Sequence, residues 1–249
     1  MNNIEKQLLD HATVRQYQNR EISDEIMQRI IECGSRASNT GNMQVYSVIV
    51  TQEPERRKAL CDLHFGQGSS APAILTICAD VNRYHHWCRQ RGCDQPYDNF
   101  LWFLSGVIDA SLFAQNLCVA AESEGLGFCH LGTVLYNTDA IAQLLELPKG
   151  VVPVITLSMG YPEAQPTLSE RLPIEGIMHK EVYHDYSDED IDRIHEIREN
   201  FPFNQEMVRQ NGTRNLAEIF TNIRYPHKAN VEISQALLAF LDKAGMMNQ

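Results

Sequence analysis

Apolar residues recur at helical spacing in two early segments of the chain. Between residues 22 and 35, Ile26 and Ile30 follow this spacing, and Ser23 is a residue type that caps helix N-termini. We therefore predict a helix over 22–35 and a second helix from residue 53 to residue 63.

Three other segments are short apolar runs rich in β-branched residues. Residues 44–51, 73–79 and 151–159 have this pattern, which is typical of buried strands. These strands do not alternate regularly with helices along the chain. The order therefore predicts an α+β fold with three or four short strands, rather than a doubly wound sheet.

Residues 99–125 form a nearly continuous apolar stretch, and a helix of about 25 residues would be about 37 Å long. A membrane span is the alternative interpretation. However, Asp109 lies near the middle of the stretch, and a charged side chain at the centre of a bilayer costs about 2.5–3.5 kcal/mol. We predict a central core helix, buried on several sides, with a dimer interface contributing to its burial.

The chain becomes polar after Glu163, and charged helical patterns follow over 188–200, 204–223 and 231–243. These helices have too few apolar positions for a core of their own. We predict a core of residues 1–165 and a C-terminal helical extension of residues 166–249, which is part of the same domain and wraps around it or around a partner subunit.

Composition and charge narrow the functional classes. The 249 residues are 43% hydrophobic and 21% charged, which is typical of a folded globular protein. A net charge of −11 makes nucleic acid and anionic membranes unfavourable partners. The first residues lack the basic and apolar regions of a secretory signal, so we expect a cytoplasmic protein.

The seven cysteines form an odd, scattered set, and most lie in apolar runs, so reduced core thiols are expected. The cluster of His85, His86, Cys88 and Cys93 is the one candidate for a metal site. No second ligand pair follows at the spacing of a structural zinc site, and we therefore predict no metal. A polar loop or a helix end is the expected structure there.

Several common catalytic motifs are absent from the sequence. There is no G-x-x-x-x-G-K-[ST], no G-x-S-x-G and no H-E-x-x-H, which disfavours ATPases, α/β-hydrolases and zinc proteases. The glycines of 125–132 do not match G-x-G-x-x-G, and they follow a predicted helix rather than a strand, which disfavours a Rossmann fold.

What remains is a set of polar islands at the boundaries of elements. In an extended chain, His11, Thr13 and Arg15 would project to one side and could form an anion clamp, because Arg and Thr supply hydrogen-bond donors. Individually, such islands are often helix caps or turns. The others are Ser38–Asn42, Gly66–Gly68, His130–Thr133 and Ser169–Arg171.

The order of these islands resembles the FMN-dependent nitroreductase family, most closely its oxygen-insensitive nitroreductase and flavin reductase branch, which prefers NADPH. The resemblance covers nearly the whole chain. It implies a small mixed sheet flanked by helices around a long central core helix. It also implies an intertwined homodimer that binds one FMN in each of two interface sites, with the C-terminal excursion packed over the partner.

The resemblance also implies roles for individual residues. Arg15 would approach the N1/O2 edge of the flavin, Gln67 would reach the ring or the ribityl chain, and the turn at 130–133 would offer backbone N–H groups near N5. The partner subunit would contribute residues 38–40, and Arg171 would pair with the phosphate, helped by His11. The expected FMN contacts are His11, Ala12, Thr13, Val14, Arg15, Ser38, Asn39, Thr40, Gln67, His130, Leu131, Gly132, Thr133, Ser169 and Arg171.

Two positions modify this picture. Ser169 stands where the family commonly has a phosphate-binding Lys, so the resemblance predicts weaker FMN binding. Arg209 and Arg214 stand where the related enzymes have arginines that bind NADPH. The alternative interpretation, that both are simply charged residues on the exposed side of a helix, has equal weight. The choice between NADPH and NADH therefore stays open.

The resemblance implies an enzyme that transfers a hydride from NAD(P)H through flavin N5 to a small acceptor such as a nitroaromatic, a quinone or a free flavin. No side chain is assigned as a catalytic acid, since protons can come from solvent. The natural acceptor need not be a nitro compound. A flavin-free binding protein and a metal enzyme using the His85–Cys93 cluster are the alternatives from other classes.

Overall fold

The computed structural model describes residues 1–93 and 97–248. These residues include a four-stranded sheet. Its strands are β1 (Tyr46–Thr51), β2 (Ala73–Asp80), β3 (Gly127–His130) and β4 (Val151–Gly160), in the order β1-β2-β4-β3. All residues of β2 are buried, as its continuous apolar run predicts.

Three of the strands lie where the sequence predicts them, and the α+β class is confirmed. The sheet is not mixed, because all three of its described pairings are antiparallel. Strand direction depends on the route of the connecting helices, which a local hydrophobic pattern does not record. The fourth strand, β3, falls in the glycine-containing segment 125–132, where no strand was predicted.

The described residues form ten α-helices. They are α1 (Asn3–Leu9), α2 (Asp24–Ser35), α3 (Pro54–Leu63), α4 (Asn82–Gln90), α5 (Phe100–Ser123), α6 (Thr138–Leu144), α7 (Asp188–Glu199), α8 (Pro202–Asn211), α9 (Leu216–Glu218) and α10 (His227–Lys243). The Ser23 hydroxyl accepts a hydrogen bond from the Ile26 N–H, which confirms the predicted cap of α2. The helix predicted over 204–223 is interrupted, because Gly212 takes a left-handed conformation that ends α8.

Helix α5 is the central helix of the fold. Phe113, Leu117 and Cys118 are fully buried on the side that packs against α2 and the sheet. By length and composition alone α5 could cross a membrane, but this buried side is that of a core helix, as predicted. Its other side exposes a stripe of large apolar side chains, which are Leu101, Leu104, Ile108 and Leu112.

The chain forms two compact units. The first comprises Met1–Thr167 and Ile233–Gln249, and the second comprises Leu168–Glu232. In the first unit, Phe240 and Leu241 of α10 join the hydrophobic core beside the sheet. The organisation into a core of 1–165 and an extension of 166–249 within one domain stays a prediction.

Candidate functional site

The segment from His11 to Arg15 is extended and lies beside β3. The Val14 N–H donates to the Phe128 carbonyl at 3.0 Å, and Ala12 and Val14 are buried while Thr13 and Arg15 are exposed. A Cβ atom at Gly127 would lie 2.3 Å from a methyl carbon of Val14, so glycine permits the close approach. The alternation places His11, Thr13 and Arg15 on one side, as their spacing predicts.

Tyr17 anchors this segment to β4. Its hydroxyl oxygen lies 2.6 Å from the Val14 carbonyl oxygen and 2.9 Å from both the carbonyl and the hydroxyl oxygen of Ser158. Burial raises the pKa of Tyr17, so the hydroxyl stays protonated and can donate. The sequence pattern did not reveal this anchor.

His11 is held by two neighbours. Its Nδ1 atom lies 2.5 Å from a carboxylate oxygen of Glu122, near the end of α5, and its ring stacks on Phe128 with the centroids 5.2 Å apart. The Phe128 ring in turn meets the edge of His130, 5.8 Å away. Desolvation lowers the pKa of His130, and the nearby His11 lowers it further.

The turn that carries Gln67 follows α3 and packs against the same part of the sheet. Gly66 and Gly68 both have φ of +79°, a conformation that favours glycine. A Cβ atom at Gly68 would lie 2.9 Å from the Cβ atom of Ser158, so the turn approaches β4 closely. The Gln67 side chain itself is exposed.

A buried histidine joins this turn to the turn at 130–133. The Nδ1 atom of His64 lies 2.7 Å from the hydroxyl oxygen of Thr133, and His64 has no exposed surface. Burial lowers the pKa of His64 to about 4, so the imidazole is neutral near pH 7. Its Nε2 atom is also buried and has no hydrogen-bond partner among the described residues.

Three of the predicted islands therefore meet around Ser158 of β4. They are the segment 11–15, the turn 66–68 and the turn 130–133, and together they present an exposed guanidinium, hydroxyl and amide group. A Cβ atom at Gly132 would meet no atom within 4 Å, so this turn borders open space. Such a donor-rich surface can bind an oxygen-rich or anionic ring edge.

Residues 38–40 lie elsewhere in the same unit. One carboxylate oxygen of Asp109 accepts hydrogen bonds from the Thr40 N–H at 2.9 Å and the Thr40 hydroxyl at 3.0 Å. The Asn39 side chain accepts from the Gln44 N–H at 3.2 Å. Asp109 and Glu122 are 13 positions apart on α5, which is about 20 Å along the helix. Within one chain, residues 38–40 are thus well separated from His11.

The remaining predicted residues belong to the second unit. The Arg171 guanidinium donates to the Ser169 hydroxyl at 2.7 Å and to the Glu170 carbonyl at 2.9 Å. Two further arginines form ion pairs with carboxylates on neighbouring turns, Arg209 with Glu206 and Arg214 with Glu218.

The predicted metal candidates lie in α4 and just after it. His85, His86 and Cys88 are within the helix, and only Cys93 follows its end, so the expected helix end applies to the last of the four residues. The Nε2 atom of His85 accepts a hydrogen bond from the Tyr97 N–H at 3.0 Å. In residues 1–93 and 97–248, no group of three or more His, Cys, Asp or Glu side chains is arranged to hold a metal ion.

Comparison with known proteins gives a consistent picture. The family model for the Nitroreductase family matches residues 8–161. The chain is 31% identical over 229 residues to a Cr(VI) reductase of Pseudomonas sp. strain G-1, covering 90% of this chain and 94% of the relative. It is 34% identical over 192 residues to an NAD(P)H-dependent FMN reductase of Bacillus subtilis strain 168, covering 74% and 75% of the two chains.

A solved structure from Bacteroides fragilis NCTC 9343 has the same fold over nearly the full length. Its TM-score is 0.96 at 40% sequence identity, and the match covers 98% of this chain and 100% of the other. Similarity therefore extends over both compact units of the chain.

Proposed function

Since this chain belongs to the nitroreductase family, we propose that it is an FMN-dependent oxidoreductase that transfers a hydride from NAD(P)H through flavin N5 to a small acceptor. The observation that carries the proposal is the convergence of three polar islands around Ser158. These islands are far apart in sequence, and the same positions carry the resemblance to the family.

The donor set supports FMN as the ligand. Arg15 offers a rigid fork of N–H donors on the exposed side of its segment, which suits the N1/O2 edge of a flavin. Glu122 engages Nδ1 of His11 and leaves Nε2 for a ligand. Gln67 and the turn at 130–133 supply an exposed amide and open space beside the backbone.

FMN supplies the hydride chemistry when it is bound, and the side chains of the protein position and stabilise it. A positive guanidinium at the N1/O2 edge favours the anionic reduced flavin. His64 joins the end of α3 to the turn at 130–133, and Tyr17 joins the segment 11–15 to β4, so the donors are held in place before the cofactor arrives. Water reaches this open surface, so protons come from solvent and no side chain is assigned as an acid.

We further propose that the site is completed in a homodimer. The apolar stripe of α5 is exposed in the single chain, with Leu101 66% and Ile108 52% exposed, and an exposed stripe of this kind suits a subunit interface. Asp109, which contacts Thr40, and Glu122, which contacts His11, are about 20 Å apart along α5, so residues 38–40 of the same chain lie far from His11. A second copy related by the dimer could bring its own residues 38–40 to this site. The partner's residues 38–40 would then contribute donors.

The acceptor class is a small molecule that accepts electrons from reduced flavin, such as a quinone, a nitroaromatic or a free flavin. The two relatives described above are named for Cr(VI) and for FMN as acceptors, so the family covers different acceptors on one scaffold. The roles of Ser169, Arg171, Arg209 and Arg214 toward the cofactor and NAD(P)H stay predictions.

One experiment tests the proposal. The protein is incubated with excess FMN, desalted, and its visible spectrum is recorded anaerobically before and after addition of NADPH or NADH. We expect a retained yellow chromophore that one of the nicotinamides bleaches. A protein that retains no FMN contradicts the proposal and favours a flavin-free binding protein.

The variant Arg15→Ala assigns the role of the guanidinium. We expect FMN retention or the rate of flavin reduction to fall at least tenfold, about 1.4 kcal/mol, because the charge at the ring edge is lost. Arg15→Lys keeps the charge without the fork and should recover part of the loss. Arg56→Ala is the matched control, since Arg56 is exposed on α3 and forms only a long ion pair, 3.8 Å, with Glu146. Wild-type behaviour of Arg15→Ala would exclude this role.

A further inference from the structure

The end of α3 places an aromatic residue where glycine is favoured. The Gly66 N–H donates to the Cys61 carbonyl at 2.9 Å and the Phe65 N–H donates to the Asp62 carbonyl at 3.1 Å. These two bonds define a Schellman motif, in which the residue at the Phe65 position takes a left-handed conformation. Phe65 has φ of +57°, and such a conformation is strained for a bulky side chain.

The same pair of hydrogen bonds ends five other described helices, so the residue types in the left-handed position can be compared with Phe65. The residues in the left-handed position are Gly92 after α4, Gly125 after α5, Glu146 after α6, Gly212 after α8 and Gly245 after α10. Four of these five residues are glycines. Glu146 is charged and exposed, so Phe65 alone in this set carries a large apolar ring.

The Phe65 ring gains little from packing. It is 68% exposed, so most of its apolar surface remains in contact with water. Both the backbone strain and the exposed ring are unfavourable to the folded state. Strained residues that contribute little packing are concentrated at functional sites, and the position of Phe65 agrees with this tendency.

Phe65 lies at the edge of the candidate site. The preceding residue, His64, is bonded to Thr133, and Gln67 follows two positions later on the same turn. The turn itself is fixed, because Gly68 packs against β4. The ring is therefore carried on a rigid support between two of the converging islands.

We propose that Phe65 is a specificity residue that stacks on a planar, uncharged aromatic electron acceptor, such as a quinone or a nitroaromatic. This inference rests on the proposed function. From residue 59 to residue 70 the chain has no Lys or Arg, and Lys58 is paired with Asp62 at 2.8 Å. His64 is buried and lacks a charge near pH 7. The turn therefore offers no cation for the phosphates of a dinucleotide, whereas a phenyl ring suits a neutral flat ring.

Three variants separate the ring from the backbone strain. Phe65→Gly removes both, Phe65→Leu keeps the strain and the apolar bulk but removes the aromatic plane, and Phe65→Tyr keeps the plane. Glu146→Gly is the matched control, because it relieves the same left-handed conformation at the end of α6. Each is assayed as FMN-loaded protein with the quinone menadione and with ferricyanide, an acceptor without an aromatic ring.

In Phe65→Gly and Phe65→Leu, we expect the ratio of kcat/KM for menadione to that for ferricyanide to fall about three- to tenfold, the range of one aromatic contact. The ratio should stay at the wild-type value in Phe65→Tyr and Glu146→Gly. Thermal melting gives a readout independent of turnover. The Tm of the FMN-free protein should rise by about 2–4 °C in Phe65→Gly and Glu146→Gly, but not in Phe65→Leu.

An unchanged ratio in both Phe65→Gly and Phe65→Leu would overturn the inference, as would an equal loss with both acceptors. A rise confined to the KM for NAD(P)H, or to the Kd for FMN, would assign Phe65 to another ligand and would also overturn it. The proposed function fails separately, and takes this inference with it, if wild-type protein retains no FMN or if neither nicotinamide reduces it.

Discussion

The neutral state of His64 links the candidate site to the pH dependence of stability. Its pKa is about 4 in the folded chain, against an ordinary value of 6.5, because the ring is buried. The unfolded chain therefore binds a proton more readily between these two pH values. The contribution of neutral His64 to the free energy of unfolding is therefore fully present above pH 6.5. As the pH falls toward 4, this contribution decreases by about 3 kcal/mol.

We predict that His64→Gln removes this part of the pH dependence. Urea unfolding at pH 7 and pH 4 should show that the free energy of unfolding of the wild type falls by about 3 kcal/mol more than that of the variant. Other titrating groups are common to both proteins and cancel in the difference. Equal pH dependence in the two proteins would mean that His64 is not held neutral by burial.

At the same scale, the sequence predicted some residues of the candidate site and not others. The shared side of His11, Thr13 and Arg15 follows from the period of an extended chain, and the structure has it. His64 was missed because its partner, Thr133, is 69 positions away. The left-handed conformation of Phe65 was missed because residue type alone predicts a different backbone there.

At the scale of elements, long periodic segments were predicted well. The predicted helices 22–35 and 53–63 correspond to α2 and α3, and the stretch 99–125 corresponds to α5. The short strand β3 was missed, since its four residues follow a turn and depend on pairing with β4, which is distant in sequence. For α4, the sequence predicted only a polar loop or a helix end and not the helix itself. This helix is polar, and it has few apolar positions from which to infer a period.

The turn between α2 and β1 depends on one buried carboxylate of α5. Asp109 is 1% exposed and accepts two hydrogen bonds from Thr40, while Asn42 and Gln44 of the same turn have left-handed φ values of +56° and +54°. Without Asp109, the strained turn loses its acceptor. We predict that Asp109→Ala lowers the free energy of unfolding by about 2–3 kcal/mol in urea titrations.

The variant Thr40→Val gives the comparison for this prediction. It removes the hydroxyl donor and keeps the backbone N–H, so the expected loss is about 1 kcal/mol. In the double variant the losses should be less than additive, since both changes remove one shared hydrogen bond. Full additivity would show that the carboxylate stabilises the fold by another route.

At the scale of the whole molecule, two features of the single chain are not explained by contacts within that chain. The stripe of α5 exposes apolar side chains to water, and the contacts of residues 38–40 and of His11 are about 20 Å apart along that helix. The homodimer that we propose accounts for both, because it covers the stripe and brings the partner's residues 38–40 to the site. No local pattern in the sequence specifies which exposed apolar residues a second copy covers.

We therefore predict that Ile108→Glu dissociates the protein into single chains and reduces FMN retention at the same time. A carboxylate in the centre of an apolar interface is desolvated without a partner, which disfavours association strongly. Trp87→Glu is the matched control, since Trp87 of α4 lies outside the C-terminal extension and has a similar exposed fraction, 53% against 52%. Light scattering after size exclusion should give two chains for the wild type and for Trp87→Glu, and one for Ile108→Glu. A dimeric Ile108→Glu protein with full FMN retention would show that the stripe is not the interface.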